Sequence, residues 1–215
     1  MKKVELCLIT FGVIIGIIGV LHGCAELLQG SALVGSQSTA AMPEGWPNSE
    51  FHTLMKGSPV FTLLTGIPFF ALGLLAISVS ITMIVCSLTV VRLNRFGLAV
   101  FALLSAGIFL FGAGRGTPVA VSMPVLVFGV ASLAMPGTKT RSSAAIRRLR
   151  FWFNAFYWLH IFSWVLFFPG LFILSFYGEI PTALFIFDFA AMPVSVLGAL
   201  ISGFMLDRSY SASTP

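Results

Sequence analysis

The feature that most constrains this chain is a recurrence: apolar runs of about 20 residues, with nearly all charge confined between them. Lipid offers no partner to a backbone N–H or C=O, so a spanning segment must be a helix or part of a closed barrel. The runs are continuous rather than alternating, which selects helices. Charged residues make up 9% of the 215 and hydrophobic ones 58%, against about 25% charge in a soluble domain. The expectation is an all-α polytopic membrane bundle, a single transmembrane domain over residues 1–215. Six helices fit, at 4–29, 60–91, 96–114, 118–136, 151–177 and 182–206. The second run is overlong and has to tilt, kink or project from the bilayer.

Charge placement tests that count. With the N-terminus inside, Lys2, Lys3, Arg92, Arg95, Lys139, Arg141, Arg147, Arg148, Arg150 and Arg208 fall on the cytoplasmic side, and only Lys56 and Arg115 outside. Ten against two is the asymmetry of a protein in the cell membrane with both termini cytoplasmic. The net charge of +5 is thereby a topology signal, since a nucleic-acid binder would carry its basic residues on a soluble face. The expected partners are the lipid bilayer and other membrane subunits or further copies of the chain, with no nucleic acid.

The first run carries the most informative stretch, Leu21-His22-Gly23-Cys24-Ala25-Glu26-Leu27-Leu28-Gln29-Gly30. On a helix His22, Glu26 and Gln29 fall at i, i+4 and i+7 and share a face. Glycines 12, 16, 19 and 23 recur at steps of four and three, and Glu26 and Gly30 continue the series. A glycine stripe lets another backbone approach closely, so Glu26 belongs to a packed side. An ionisable group at such depth needs a partner and is a functional candidate. The alternative is structural, with His22 and Glu26 bonded to each other and fixing a neighbouring helix. Lys2-Lys3 before an apolar run also has the shape of a secretory signal, and Leu21-His22-Gly23-Cys24 resembles a lipoprotein cleavage box with an atypical His. A retained helix is expected.

Other segments are less specific. The outer loop 31–57 is long for a compact protein, with a short helix expected near 49–56, between Ser49 as N-cap and Gly57 as stop. It would act as a lid or an interfacial anchor. Gly112-Ala113-Gly114-Arg115-Gly116-Thr117-Pro118 lacks the Gly-Lys-Ser/Thr ending of a P-loop and reads as a tight turn whose Arg115 pairs with Glu26 or Asp188. The inner loop from Gly137 to Arg150 is expected on anionic headgroups. Aromatic residues crowd 151–168, with Asn154 and His160 as polar members. Pro68, Pro124 and Pro193 are each followed five residues later by glycine, a weak sign of three similar hairpins.

Depth decides which polar groups can meet. His22 and Asp188 lie about 10 Å from the outer helix ends and His160 about 25 Å from them. A polar pocket of His22, Glu26, Gln29, His52, Arg115 and Asp188 is expected at the outer mouth, with Asn154 and His160 on a deeper path. The separation of His22 from His160 argues against one shared haem. His22, Glu26 and His52 could hold a metal with one position open, but no His-Glu-x-x-His motif backs them. Cys7, Cys24 and Cys86 lie in apolar runs and suggest neither disulfides nor zinc. No Gly-x-Ser-x-Gly nucleophile is present, and no cofactor is assigned.

The motif His-Gly-x-x-Glu-x-x-Gln-Gly at 22–30, followed by an outer loop and Leu-Leu-Thr-Gly-Ile at 63–67, resembles a loose group of small prokaryotic multi-span membrane proteins. That resemblance implies a membrane protein and no particular activity. The residues point first to a non-enzymatic membrane protein with an outward-facing polar pocket. It would move a small solute, ion or proton, or serve as a subunit of a larger complex. The competing class is a membrane-embedded enzyme, metal-assisted, on the outer face.

Overall fold

A computed structural model describes residues 2–33, 66–89, 95–110 and 142–211. Their architecture is a helical bundle: α1 (Lys3–Leu27), α2 (Phe69–Thr89), α3 (Arg95–Leu110), α4 (Ser143–Val165), a wide π-helical turn (Leu166–Leu171), α5 (Phe172–Tyr177) and α6 (Thr182–Ser211). Four stretches are long and apolar enough to cross a membrane: α1, α2, the α4–α5 run Ser143–Tyr177, and α6 over Thr182–Ser209. The shorter α3, 16 residues, spans about 24 Å. The expected helix 118–136 and the short helix 49–56 lie outside the described residues.

Two antiparallel hairpins make the bundle. In the first, α1 lies along α2, and α3 packs on α2 with its Phe101 ring reaching Gly12 of α1; in the second, α4 lies along α6, and α1 touches α6 to join the pair. The first hairpin closes because its turn satisfies the groups that helix ends leave open. Gly30 takes a left-handed conformation (φ 63°) that stops α1. The chain leaves at Leu33 and returns beside it, in an isolated bridge to Pro68. There the N–H of Phe69 reaches the Ala32 carbonyl (2.9 Å) and that of Phe70 the Gly30 carbonyl (2.9 Å). Helix α2 therefore starts at Phe69, nine residues later than the apolar run suggests. Gly66 (φ 79°) and Pro68 set that start, and the overlong span reduces to 21 residues, about 31 Å.

The glycine stripe faces α2, and a Cβ shows how tightly. At Gly23 it would sit 2.8 Å from the Gly73 carbonyl, and at Gly73 2.6 Å from the Gly23 carbonyl. Gly12 faces Ser87 and Phe101, and Gly16 faces Ile84 and the Ser80 carbonyl. In the second hairpin Gly198 admits the Phe156 ring. Of the three Pro-x4-Gly pairs, the two within the described residues thus place glycine at a tight contact, one against backbone and one against a ring.

The basic inner segment differs from expectation. Ser142 Oγ accepts from the Ala145 N–H (3.3 Å), and α4 begins at Ser143. Arg147, Arg148 and Arg150 are therefore helical and exposed, while Ile146 and Leu149 pack on the core. The start residue of the expected helix, 151, falls eight residues late because the amphipathic first turns look like loop to a hydropathy reading. Further on, Phe168 leaves helical geometry (φ −140°, ψ 116°) before Pro169, which has no N–H to continue the ladder.

Polarity runs inside out. Ser80, Ser87, Ser105, Ser163, Ser195, Ser202 and Ser209 are buried, whereas Leu103, Trp158, Phe162 and Ile186 are exposed. Several buried hydroxyls bond a carbonyl one turn back, such as Ser87 to Met83 and Ser105 to Phe101. That distribution suits a lipid-facing surface and would be an aggregation liability in water.

Candidate functional site

The polar groups of the described residues fall into three places. The first is the Leu27 end of α1. His22 Nε2 lies 3.3 Å from Glu26 Oε1, one helical turn apart. Glu26 is 1% exposed although His22 keeps partial access. Its second oxygen, Oε2, has no hydrogen-bond partner among the described residues, and neither has Gln29 Nε2, in the turn that follows. The close approach of α2 along the glycine stripe buries the carboxyl. Helix α1 ends one residue later, and a helix C-terminus is the negative pole of its dipole, attracting a cation. The Leu27 end of α1 thus carries a carboxyl oxygen and an amide nitrogen without hydrogen-bond partners among the described residues.

The second place is the centre. His160 is fully buried on α4. Its Nε2 accepts from the Trp164 indole N–H (3.0 Å), and its Nδ1 lies 3.0 Å from Ser195 Oγ and 3.3 Å from the Met192 carbonyl. Because an indole only donates, Nε2 carries no proton and Nδ1 carries it. Ser195 Oγ donates in turn to Met192 (2.9 Å). The Phe11 ring closes the site from α1, 4.3 Å between centroids. Nearby, Thr10 Oγ1 and the Tyr157 hydroxyl meet at 2.7 Å. These bonds tie α1, α4 and α6 together and leave no nitrogen of His160 open. Asn154 is exposed on α4, so the structure does not align it with His160 in one path.

The third place is Asp188 on α6, fully buried, with both carboxyl oxygens unpartnered among the described residues. The Ser163 hydroxyl of α4 faces it without closing a hydrogen bond of good geometry. His22 lies 19 residues from Lys3, and Asp188 19 from Asp207, its neighbour; both are about 28 Å from that contact and so at one level. No hydrogen bond or ion pair among the described residues links Asp188 to His22 or Glu26. His52 and Arg115 lie outside the described residues, and with them the third ligand of the metal reading. No group of three His, Cys, Asp or Glu among the described residues could hold a metal.

Sequence reasoning missed Asp207. Its Oδ1 accepts from the Lys3 N–H (2.7 Å) and its Oδ2 from the Val4 N–H (3.0 Å), so a carboxylate of α6 caps α1. Glu5 Oε2 takes the Lys2 N–H (3.0 Å). The Lys3 end of α1 and the Asp207 end of α6 therefore share one side of the bundle. An acid beside Arg208, on the side shared with Lys2 and Lys3, was the available signal. Trp164, one turn beyond His160, was also legible by spacing; Ser163 was not.

No protein-family model, curated protein or solved structure matches this chain.

Proposed function

We propose that this is a non-enzymatic, multi-pass protein of the cell membrane, with both termini cytoplasmic and its polar mouth outside. There His22, Glu26 and Gln29 bind a small polar solute that carries a donor and an acceptor, and the protein works as a subunit of a larger membrane assembly. One observation carries the reading: the Glu26 carboxyl is buried, and among the described residues neither its Oε2 nor Gln29 Nε2, three residues on, has a hydrogen-bond partner. A buried polar atom without a partner costs about 1–3 kcal/mol, and a ligand that donates to Oε2 and accepts from Gln29 offsets both. The subunit role is supported by the centre, where His160 is bonded at both nitrogens and walled by Phe11. A conduit would need open polar groups at that depth.

Native mass spectrometry of the wild-type protein and Glu26→Gln, released gently from membranes, tests this. The wild type should carry a small bound species and a partner subunit; the variant should lose the small species and keep the partner. Glu26→Gln should cost no more than about 1 kcal/mol of stability. A loss near ~3 kcal/mol would instead mark a buried ion pair, and identical species on both proteins would end the proposal.

A further inference from the structure

The Asp188–Ser163 pair is separate from the mouth of α1 and has its own chemistry. Asp188 on α6 and Ser163 on α4 are both buried and lie beside one another, and neither makes a hydrogen bond of good geometry among the described residues. Their lone pairs are thereby left open to a ligand. Phe185 and Phe189, which flank Asp188 in sequence, both meet Phe167 of the wide turn, at 6.3 and 5.7 Å between centroids. A carboxylate as buried as Asp188 needs a compensating charge. The donor set is oxygen only, which selects a hard cation. A single negative charge balances a monovalent ion and would leave a divalent one uncompensated. The helical run is interrupted five residues past Ser163, at Phe168 in the wide turn, and in transporters discontinuous membrane helices coordinate such ions through freed backbone carbonyls.

We propose that the Asp188 carboxylate and the Ser163 hydroxyl form a site for a small alkali cation that holds α4 to α6. The ion is a resident clamp on the second hairpin and is independent of the solute pocket at Glu26.

Thermal unfolding in lipid nanodiscs tests the site, with sodium chloride against choline chloride at equal ionic strength. The wild type should gain melting temperature saturably with sodium and not with choline. Ser163→Ala should weaken the apparent sodium affinity about tenfold, and Asp188→Asn should abolish the sodium dependence. Glu26→Gln should retain it, which separates this site from the mouth. If Asp188→Asn does not fold, Ser163→Ala decides alone. Equal melting of the wild type in sodium and choline would overturn the proposal, as would an unchanged sodium affinity in Ser163→Ala. A destabilised Asp188→Asn in a protein indifferent to sodium would overturn it too, assigning Asp188 to a basic side chain instead.

Discussion

Replacing Gly73 by alanine tests whether the first hairpin is held by backbone contact. The new Cβ would lie 2.6 Å from the Gly23 carbonyl oxygen and 2.9 Å from the Leu27 nitrogen, where ordinary contact begins at 3.4 Å. Both atoms are backbone and cannot rotate away, so α1 and α2 must part by about 0.8 Å. A gap of that size forfeits roughly a quarter to a half of each dispersion contact it opens. Overpacking of this kind costs about 1–3 kcal/mol, and rigid neighbours put Gly73 near the upper end. Alanine recovers about 1 kcal/mol in helix propensity. The net loss is about 2 kcal/mol, or roughly 4–8 °C in melting temperature for a chain of this size. Circular dichroism melts in detergent measure it, with Gly178→Ala as control. Gly178 has extended backbone (φ 178°) and open space around a Cβ, so that variant should melt as wild type does. Gly16→Ala should fall between, because its nearest neighbour is the movable Ile84 side chain at 2.5 Å. If Gly73→Ala melts within a degree of Gly178→Ala, the tight backbone contact does not hold the hairpin.

Three further outcomes are expected. Asp207→Ala orphans the Lys3 and Val4 N–H groups and should cost about 2–3 kcal/mol, with Asp207→Asn losing about half as much, by the same melts. Trp164→Phe leaves His160 Nε2 buried without a donor and should cost about 1–2 kcal/mol, whereas Trp158→Phe, on the exposed face of α4, should cost almost nothing. In a background free of native cysteines, a cysteine at Ser31 should react with an impermeant reagent from outside and one at Ser143 only after permeabilisation; the reverse pattern would invert the topology.

Hydropathy made the spans legible because lipid demands continuous apolar helices, and α1 and α6 fall close to their expected ranges. Their ends were less so, since local chemistry sets them. Gly66 and Pro68 delay α2, and a Ser142 cap advances α4 into a basic, amphipathic turn. The α1 face was readable because glycine spacing and the His22–Glu26 pair obey one period. The His160 network was half readable: its depth followed from position, but Ser195 and Phe11 come from other helices, and no local pattern announces a contact across a bundle. Asp188 makes no bond to His22 or Glu26 among the described residues, and its other expected neighbours, His52 and Arg115, lie outside them. Spacing fixes height along a helix, and only packing fixes which helix stands opposite.

The bond from Lys3 to Asp207 spans 204 residues. At roughly 5–20 residues per second of synthesis, α1 emerges from the ribosome about 10–40 s before the carboxylate that caps it. During that interval its first N–H groups must rest on water or lipid headgroups, while the α1–α2 hairpin, whose parts are adjacent in the chain, can already be zipped at the opposite end. The first of the described helices is thus the last of them to be capped. A nascent chain halted before Asp207 leaves the Lys3 and Val4 N–H groups without their cap.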